Sequence, residues 1–211
     1  MNERVVFISY PKSGRTWVHK IMEKYEEFSG STVKQDDVMI RTHLGYGGHE
    51  HLNQPARIKQ LDNPQYVLLT RDIPDTLVSF YHDEKVRKFR GGAKGTVDDF
   101  ALEYKPLIDK FYEEVSTYNF AYEFSYEQMQ ILTMETVLPF MNLVYGNVQL
   151  FPLKEAVDYC HFSKLSILER QRKEDMAVSA NHQQQDFYKT RKGKVGSAKD
   201  ELKPETLKQL L

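Results

Sequence analysis

Lys12, Ser13, Gly14, Arg15 and Thr16 stand together in Tyr10-Pro11-Lys12-Ser13-Gly14-Arg15-Thr16-Trp17, and that grouping can hold an oxyanion. The lysine brings a full charge, and the hydroxyls and closely spaced backbone N–H groups bring donors. The glycine lets the chain turn tightly enough to aim them at one point. A phosphate or a sulfate is the ligand such a set suits. Further on, His43 is a candidate proton acceptor near neutral pH, and Arg71 is a fixed cation with a fork of donors. Arg191-Lys192-Gly193-Lys194-Val195-Gly196 is a second basic, glycine-bearing run. The first stretch departs from the nucleotide loop G-x-x-x-x-G-K-[ST], because Lys12 precedes Gly14 and no leading glycine is present. An ordinary turn with a solvated lysine is the plain alternative.

The elements around these residues argue against that alternative. Arg4 to Ser9 is a β-branched and apolar run of the kind that forms a buried parallel strand. Val18, Ile21, Met22 and Tyr25 then recur at helical spacing, which makes the first stretch a strand-to-helix turn at the positive end of a helix dipole. Val38 to His43 reads as a second strand and Tyr66 to Arg71 as a third. A helix begins at Pro74 and carries Leu77, Val78, Tyr81 and Val86. Arg90 to Gly95 is a break, and Thr96 caps a helix with Phe100, Leu107, Ile108, Phe111 and Val115, in which Pro106 is expected to make a kink. Phe120 to Tyr126 is the fourth strand. Gln128 to Val144 is expected to be helical with an interruption at Pro139. Short helices are expected at Pro55–Leu61, Lys154–Cys160, Ser163–Lys173 and Glu205–Leu211. Strands alternating with helices predict a three-layer α/β/α domain with a mainly parallel central sheet, whose ligands gather at the carboxyl ends of the strands. Lys12, His43 and Arg71 all fall at such ends.

Composition narrows the function classes. A chain of 211 residues with 29 basic and 30 acidic side chains has a net charge of −1, so no global field recruits nucleic acid or an anionic membrane. Hydrophobic content of 40% and charged content of 28% are those of a globular domain, and the length fits a single one over residues 1–211. Cys160 is the sole cysteine, which excludes an intrachain disulfide and suits a reducing compartment. No apolar run approaches the roughly 18 residues of a membrane span, and the N-terminus has no signal segment, so a cytoplasmic location is expected. The glycine-rich loop Leu44–Asn53 holds His49 and His51, but a metal site there lacks a third spaced ligand. Asn181 to Gln185, in the polar stretch Glu174–Lys194, is expected to be a mobile loop.

Four segments, in order, resemble those of the sulfotransferases that use 3′-phosphoadenosine 5′-phosphosulfate (PAPS). Tyr10-Pro11-Lys12-Ser13-Gly14-x-Thr16-Trp17 resembles the 5′-phosphosulfate loop of that family, and Arg41-Thr42-His43-Leu44 is similar to its base-bearing Lys-Thr-His-Leu. Arg71-Asp72-x-Pro74 with Ser79-Phe80-Tyr81-His82 resembles its 3′-phosphate strand and helix, down to the separation of Arg71 and Ser79. Arg191-Lys192-Gly193-Lys194-Val195-Gly196 resembles its late Arg-Lys-Gly-x-x-Gly loop. The segments bracket residues 4 to 199.

The resemblance implies a P-loop NTPase-like fold and transfer of a sulfuryl group to an acceptor hydroxyl on a small molecule or saccharide. An amine or a peptide tyrosine are the other acceptors it allows. Lys12, His43 and Ser79 would stand at the reacting centre, with His43 as general base. Lys12, Ser13, Gly14, Arg15 and Thr16 would wrap the 5′-phosphate, and Trp17 would stack on adenine. Arg71, Ser79, Arg191, Lys192 and Gly193 would hold the 3′-phosphate. Tyr126 would touch the nucleotide and Phe162 would wall the adenine pocket. With that much positive charge, no metal is expected. The chain also departs from the family. Arg15 replaces the usual Thr, Arg41 replaces Lys, Ser197-Ala198-Lys199 stands where Asp-Trp-Lys is usual, and the Lys-x-x-x-Thr-Val dimer motif is absent, which leaves the oligomeric state open. An ATP-dependent phosphotransferase and a non-catalytic nucleotide-binding protein are the rival functions.

Overall fold

The computed structural model describes residues 4–46, 58, 60–87, 92–171 and 192–211. Four strands, β1 (Val5–Ser9), β2 (Met39–Thr42), β3 (Gln65–Thr70) and β4 (Phe120–Ser125), form a sheet of order β2-β1-β3-β4. All three pairings are parallel, with Val5 opposite both Met39 and Gln65. The central strand β1 is buried at every position, as its unbroken Val-Val-Phe-Ile run requires of a strand covered on both faces.

Helices cover those faces. One core packs Val5, Phe7, Val67 and Leu69 against α1 (Arg15–Ser29), α6 (Thr133–Tyr145) and α7 (Leu150–Tyr159). The other packs Val6, Ile8, Ile40 and Leu68 against Ile108, Phe111 and Val115 of α4 (Val97–Val115). The alternation of β1 side chains between the two cores is the period-two geometry of a strand. The result is the three-layer, parallel α/β/α architecture. A third cluster joins α3 (Ile73–Arg87) to Ala101, Ala198, Leu202 and Leu210, so the C-terminal α9 (Pro204–Leu210) is tied down beside α3 and α4.

Local chemistry sets the boundaries. Thr96 and Ser125 each close a capping box, on Asp99 and Gln128 respectively, so Tyr126 begins α5 (Tyr126–Ile131) and does not end the strand. The break expected at Pro139 falls instead at Leu132, between α5 and α6, and both Pro106 and Pro139 lie within continuous helices. Each costs its helix one hydrogen bond, which packing of the flanking apolar face offsets. α7 starts four residues before the expected Lys154, and α8 runs Phe162–Arg170. The short α2 (Gln35–Val38) carries no periodicity that would have announced it. Most of the histidine-bearing glycine loop, the greater part of the Pro55–Leu61 segment, the start of the Arg90–Gly95 break and the polar stretch up to Arg191 lie outside the described residues.

Candidate active site

The turn between β1 and α1 is held in an unusual backbone shape. Lys12 has φ of 73° and Gly14 has φ of 103°, both in the left-handed region that side chains disfavour. A Cβ on Gly14 would stand 2.7 Å from the Tyr126 ring, so glycine is required by approach as well as by φ. Gly14 is the N-cap of α1, and the first-turn N–H groups of Arg15 and Thr16 have no carbonyl one turn back within the helix.

These groups open onto a cleft. Lys12, Gly14, Arg15, Thr16 and Trp17 form one side of it. His43 comes from the end of β2, Arg71 from the end of β3 and Ser79 from the second turn of α3. Tyr126, Phe162 and Leu165 complete the wall. Arg71 is fixed by a bond from Nη1 to the Lys12 carbonyl (2.9 Å) and by stacking over Tyr126 (4.3 Å). Its Nε is enclosed with no partner among the described residues. Trp17 meets Tyr126 edge-on at 5.8 Å and donates Nε1–H to the Cys160 carbonyl (2.8 Å), while Cys160 itself is buried. Burial drives the Tyr126 hydroxyl pKa upward, so the ring faces the cleft uncharged.

His43 is buried, and its Nδ1 bonds the Ser9 carbonyl. A carbonyl can only accept, so Nδ1 carries the proton and, in the neutral ring, Nε2 keeps the basic lone pair. Lys12 Nζ pairs with Asp83 Oδ1 at 3.0 Å across 71 residues of sequence. Asp83 lies one helical turn beyond Ser79, which is why α3 presents both toward the same loop. On the other side of the loop, Arg41 donates to Asp36 Oδ1 (2.7 Å), and its Nη1 stands 2.8 Å from His19 Nδ1. Burial, and after it the charge of Arg41, lowers the Arg15 pKa to about 9, so the guanidinium remains a cation at neutral pH.

A C-terminal stretch approaches the cleft from outside. Asp75, buried in the first turn of α3, accepts from the backbone N–H groups of Gly196 (2.6 Å) and Ala198 (2.8 Å). That contact fixes the Lys192–Gly196 segment against the helix that carries Ser79. Gly193 (φ 59°) comes so close to Phe162 that a Cβ there would fall 2.2 Å from the ring. Lys192 Nζ bonds Glu201 Oε1 (2.6 Å), whose other oxygen meets His82, so Lys192 is directed toward α3. Neither Lys192 nor Gly193 is among the residues that wall the cleft, and Arg191 lies outside the described residues. Ser13 sits behind the cleft: its side chain is buried, its Oγ finds no partner among the described residues, and its N–H bonds the Tyr10 carbonyl (3.3 Å).

Asp75, Asp83 and Leu165 were not singled out from sequence. Asp75 reads locally as a first-turn acid complementing the helix dipole, and Leu165 as a core position of α8. Asp83 has only its spacing from Ser79 as a signal. No group of three or more metal-ligating side chains occurs among the described residues, and no helix there is long and apolar enough to cross a membrane.

Known proteins share the domain and the fold. The family model described as the sulfotransferase domain matches residues 2–210. No curated protein matches the chain at a significant level. Among solved structures, the fold is similar to a mouse sulfotransferase, SULT7A1, complexed with PAP, at TM-score 0.68 and 18% identity over 98% of this chain and 81% of that one. It is also similar to a retinol dehydratase in complex with androsterone and inactive cofactor PAP, at TM-score 0.60 and 15% identity over 98% and 78% of the two chains. A further structure of retinol dehydratase, with retinol and PAP, gives TM-score 0.60 at 14% identity over 100% of this chain and 80% of that one.

Proposed function

Because this chain belongs to the sulfotransferase-domain family, we propose that it transfers the sulfuryl group of PAPS to an acceptor hydroxyl on a small molecule or saccharide. The observation that carries this reading is convergence: Lys12, His43, Arg71 and Ser79, from four separate segments, all line one cleft. The cleft also has features that suit a nucleotide. Gly14 lets the loop backbone press against the Tyr126 ring of the cleft wall, and Arg15 and Arg71 hold enclosed guanidinium nitrogens without partners among the described residues.

The donor supplies an activated sulfuryl group, and the protein's task is positioning and charge stabilisation. His43 Nε2 takes the acceptor proton as the new S–O bond forms. The old S–O bond breaks, and its electron pair stays on the 5′-phosphate oxygen. Lys12 stabilises the charge that grows there, aided by the α1 N-terminus. For this, Lys12 must exchange Asp83 for that oxygen. Arg71 and Ser79 hold the 3′-phosphate, joined by Lys192, Gly193 and Arg191 once Lys192 leaves Glu201. Thr16 and the loop N–H groups hold the 5′-phosphate. Trp17, Tyr126 and Phe162 frame the adenine. The chain acts as one domain, without a metal, and its single buried cysteine suits the cytoplasm.

The test is sulfur-labelled PAPS presented with panels of phenols, alcohols, saccharides, amines and tyrosine peptides. Label appearing on a hydroxyl acceptor, with PAP released in equal amount, is the expected result. Label transferred only to amines would correct the acceptor class, and no transfer to any panel would contradict the reading.

A further inference from the structure

Arg15 is a largely enclosed cation that no described side chain neutralises. Its Nη1 is enclosed with no partner among the described residues, although its side chain lines the cleft. No described carboxylate pairs with it, and the charge that acts on it is another guanidinium, that of Arg41. Arg41 cannot share its own counter-charge, because that group is committed to Asp36 and stands against His19. An unmatched, partly desolvated guanidinium lowers stability, and a site that retains one has a use for it.

Lys12 is in the opposite condition. Its ammonium is already matched by Asp83 in a pair with only 14% and 7% of the two side chains exposed. An incoming dianion therefore meets one cation already paired and one that is not. Arg15 is also the first residue of α1, so its backbone N–H stands at the positive end of the helix, one residue past Gly14.

We propose that the Arg15 side chain is a catalytic residue that receives the donor's 5′-side oxyanions, a role added to that of Lys12. This rests on the sulfotransferase reading above. As the S–O bond to the 5′-phosphate breaks and the acceptor proton passes to His43, the electron pair left on phosphate is stabilised by two guanidinium N–H groups in a fixed plane. A threonine, usual at this place in the sulfotransferases this chain resembles, offers a hydroxyl and no charge. The lowered Arg15 pKa agrees with a cation waiting for an anion.

Calorimetric titration of the intact protein, Arg15→Thr and Arg15→Lys with PAP and with adenosine 3′-phosphate, which lacks the 5′ group, tests this. The expected result for Arg15→Thr is about tenfold or greater weakening of PAP, with adenosine 3′-phosphate changed less than about twofold. Without nucleotide, Arg15→Thr should melt at or above the temperature of the unsubstituted protein, because an unmatched charge is gone. Arg15→Lys should recover PAP binding in part and turnover less, since it restores charge without the fork. Unchanged PAP affinity in Arg15→Thr would overturn the proposal, and so would equal loss of both nucleotides with a lower melting temperature. If the unsubstituted protein bound adenosine 3′-phosphate and PAP equally, or neither, the donor reading itself would fall, and this proposal with it.

Discussion

In the proposed reaction His43 and Arg71 have separable jobs, so single substitutions should pull chemistry and binding apart. His43→Ala removes the basic nitrogen but no group that faces a phosphate. Turnover should fall by roughly 10²–10⁴-fold, the usual worth of a general base, while PAP affinity stays nearly constant. A large loss of PAP binding would instead make His43 a structural prop through its bond to Ser9. Arg71→Ala should weaken PAP far more than adenosine 5′-phosphate, because only PAP carries the 3′-phosphate; equal losses would remove Arg71 from that subsite. Lys12, His43 and Arg71 were legible in the sequence because each ends a strand whose apolar run is plain. Asp83 and Asp75 were not, since their partners are Lys12, far along the chain, and two backbone N–H groups near the C-terminus. Local pattern carries no trace of a contact of that kind. Arg15 was visible as a departure from the family, but only packing reveals that no described carboxylate matches its charge.

At the scale of elements, a loop beside the cleft lies on an aromatic ring of the cleft wall. Gly193 occupies a left-handed conformation against Phe162, so Gly193→Ala meets both backbone strain and a collision with that ring. The loop must move outward, and PAP binding should weaken by about tenfold, in keeping with strain of roughly 1–3 kcal/mol. Unchanged affinity in calorimetry would mean that this approach does not position the nucleotide. Asp75 anchors the same loop from the far side through Gly196 and Ala198. Strand positions and the long amphipathic helices could be read from periodicity. Helix ends were less legible, because capping by Ser125 and the irregular Leu132 (φ −133°, ψ 64°) outweigh the proline at 139 in deciding where α5 and α6 divide.

For the whole molecule, the parallel sheet and its two cores make the site a consequence of topology: β1, β2 and β3 all end at the same edge, and the cleft opens there. The acid response of the fold should trace in part to His19, beneath that edge. Burial, and next the charge of Arg41, holds its pKa below the ordinary value. The unfolded chain therefore binds a proton that the folded chain refuses, and stability should fall as pH drops below about 6.5, levelling off below the folded pKa. Urea midpoints for the protein and His19→Gln between neutral and mildly acidic pH check this; parallel curves would exclude His19 as a source. A site built for a nucleotide with a 3′-phosphate should select for that group, and calorimetric titration with PAP beside ATP, ADP and adenosine 5′-phosphate, without metal, tests this most directly. Tight binding of PAP with weak or absent binding of the other three is the predicted result. A preference for ATP, or no binding of PAP, would contradict it.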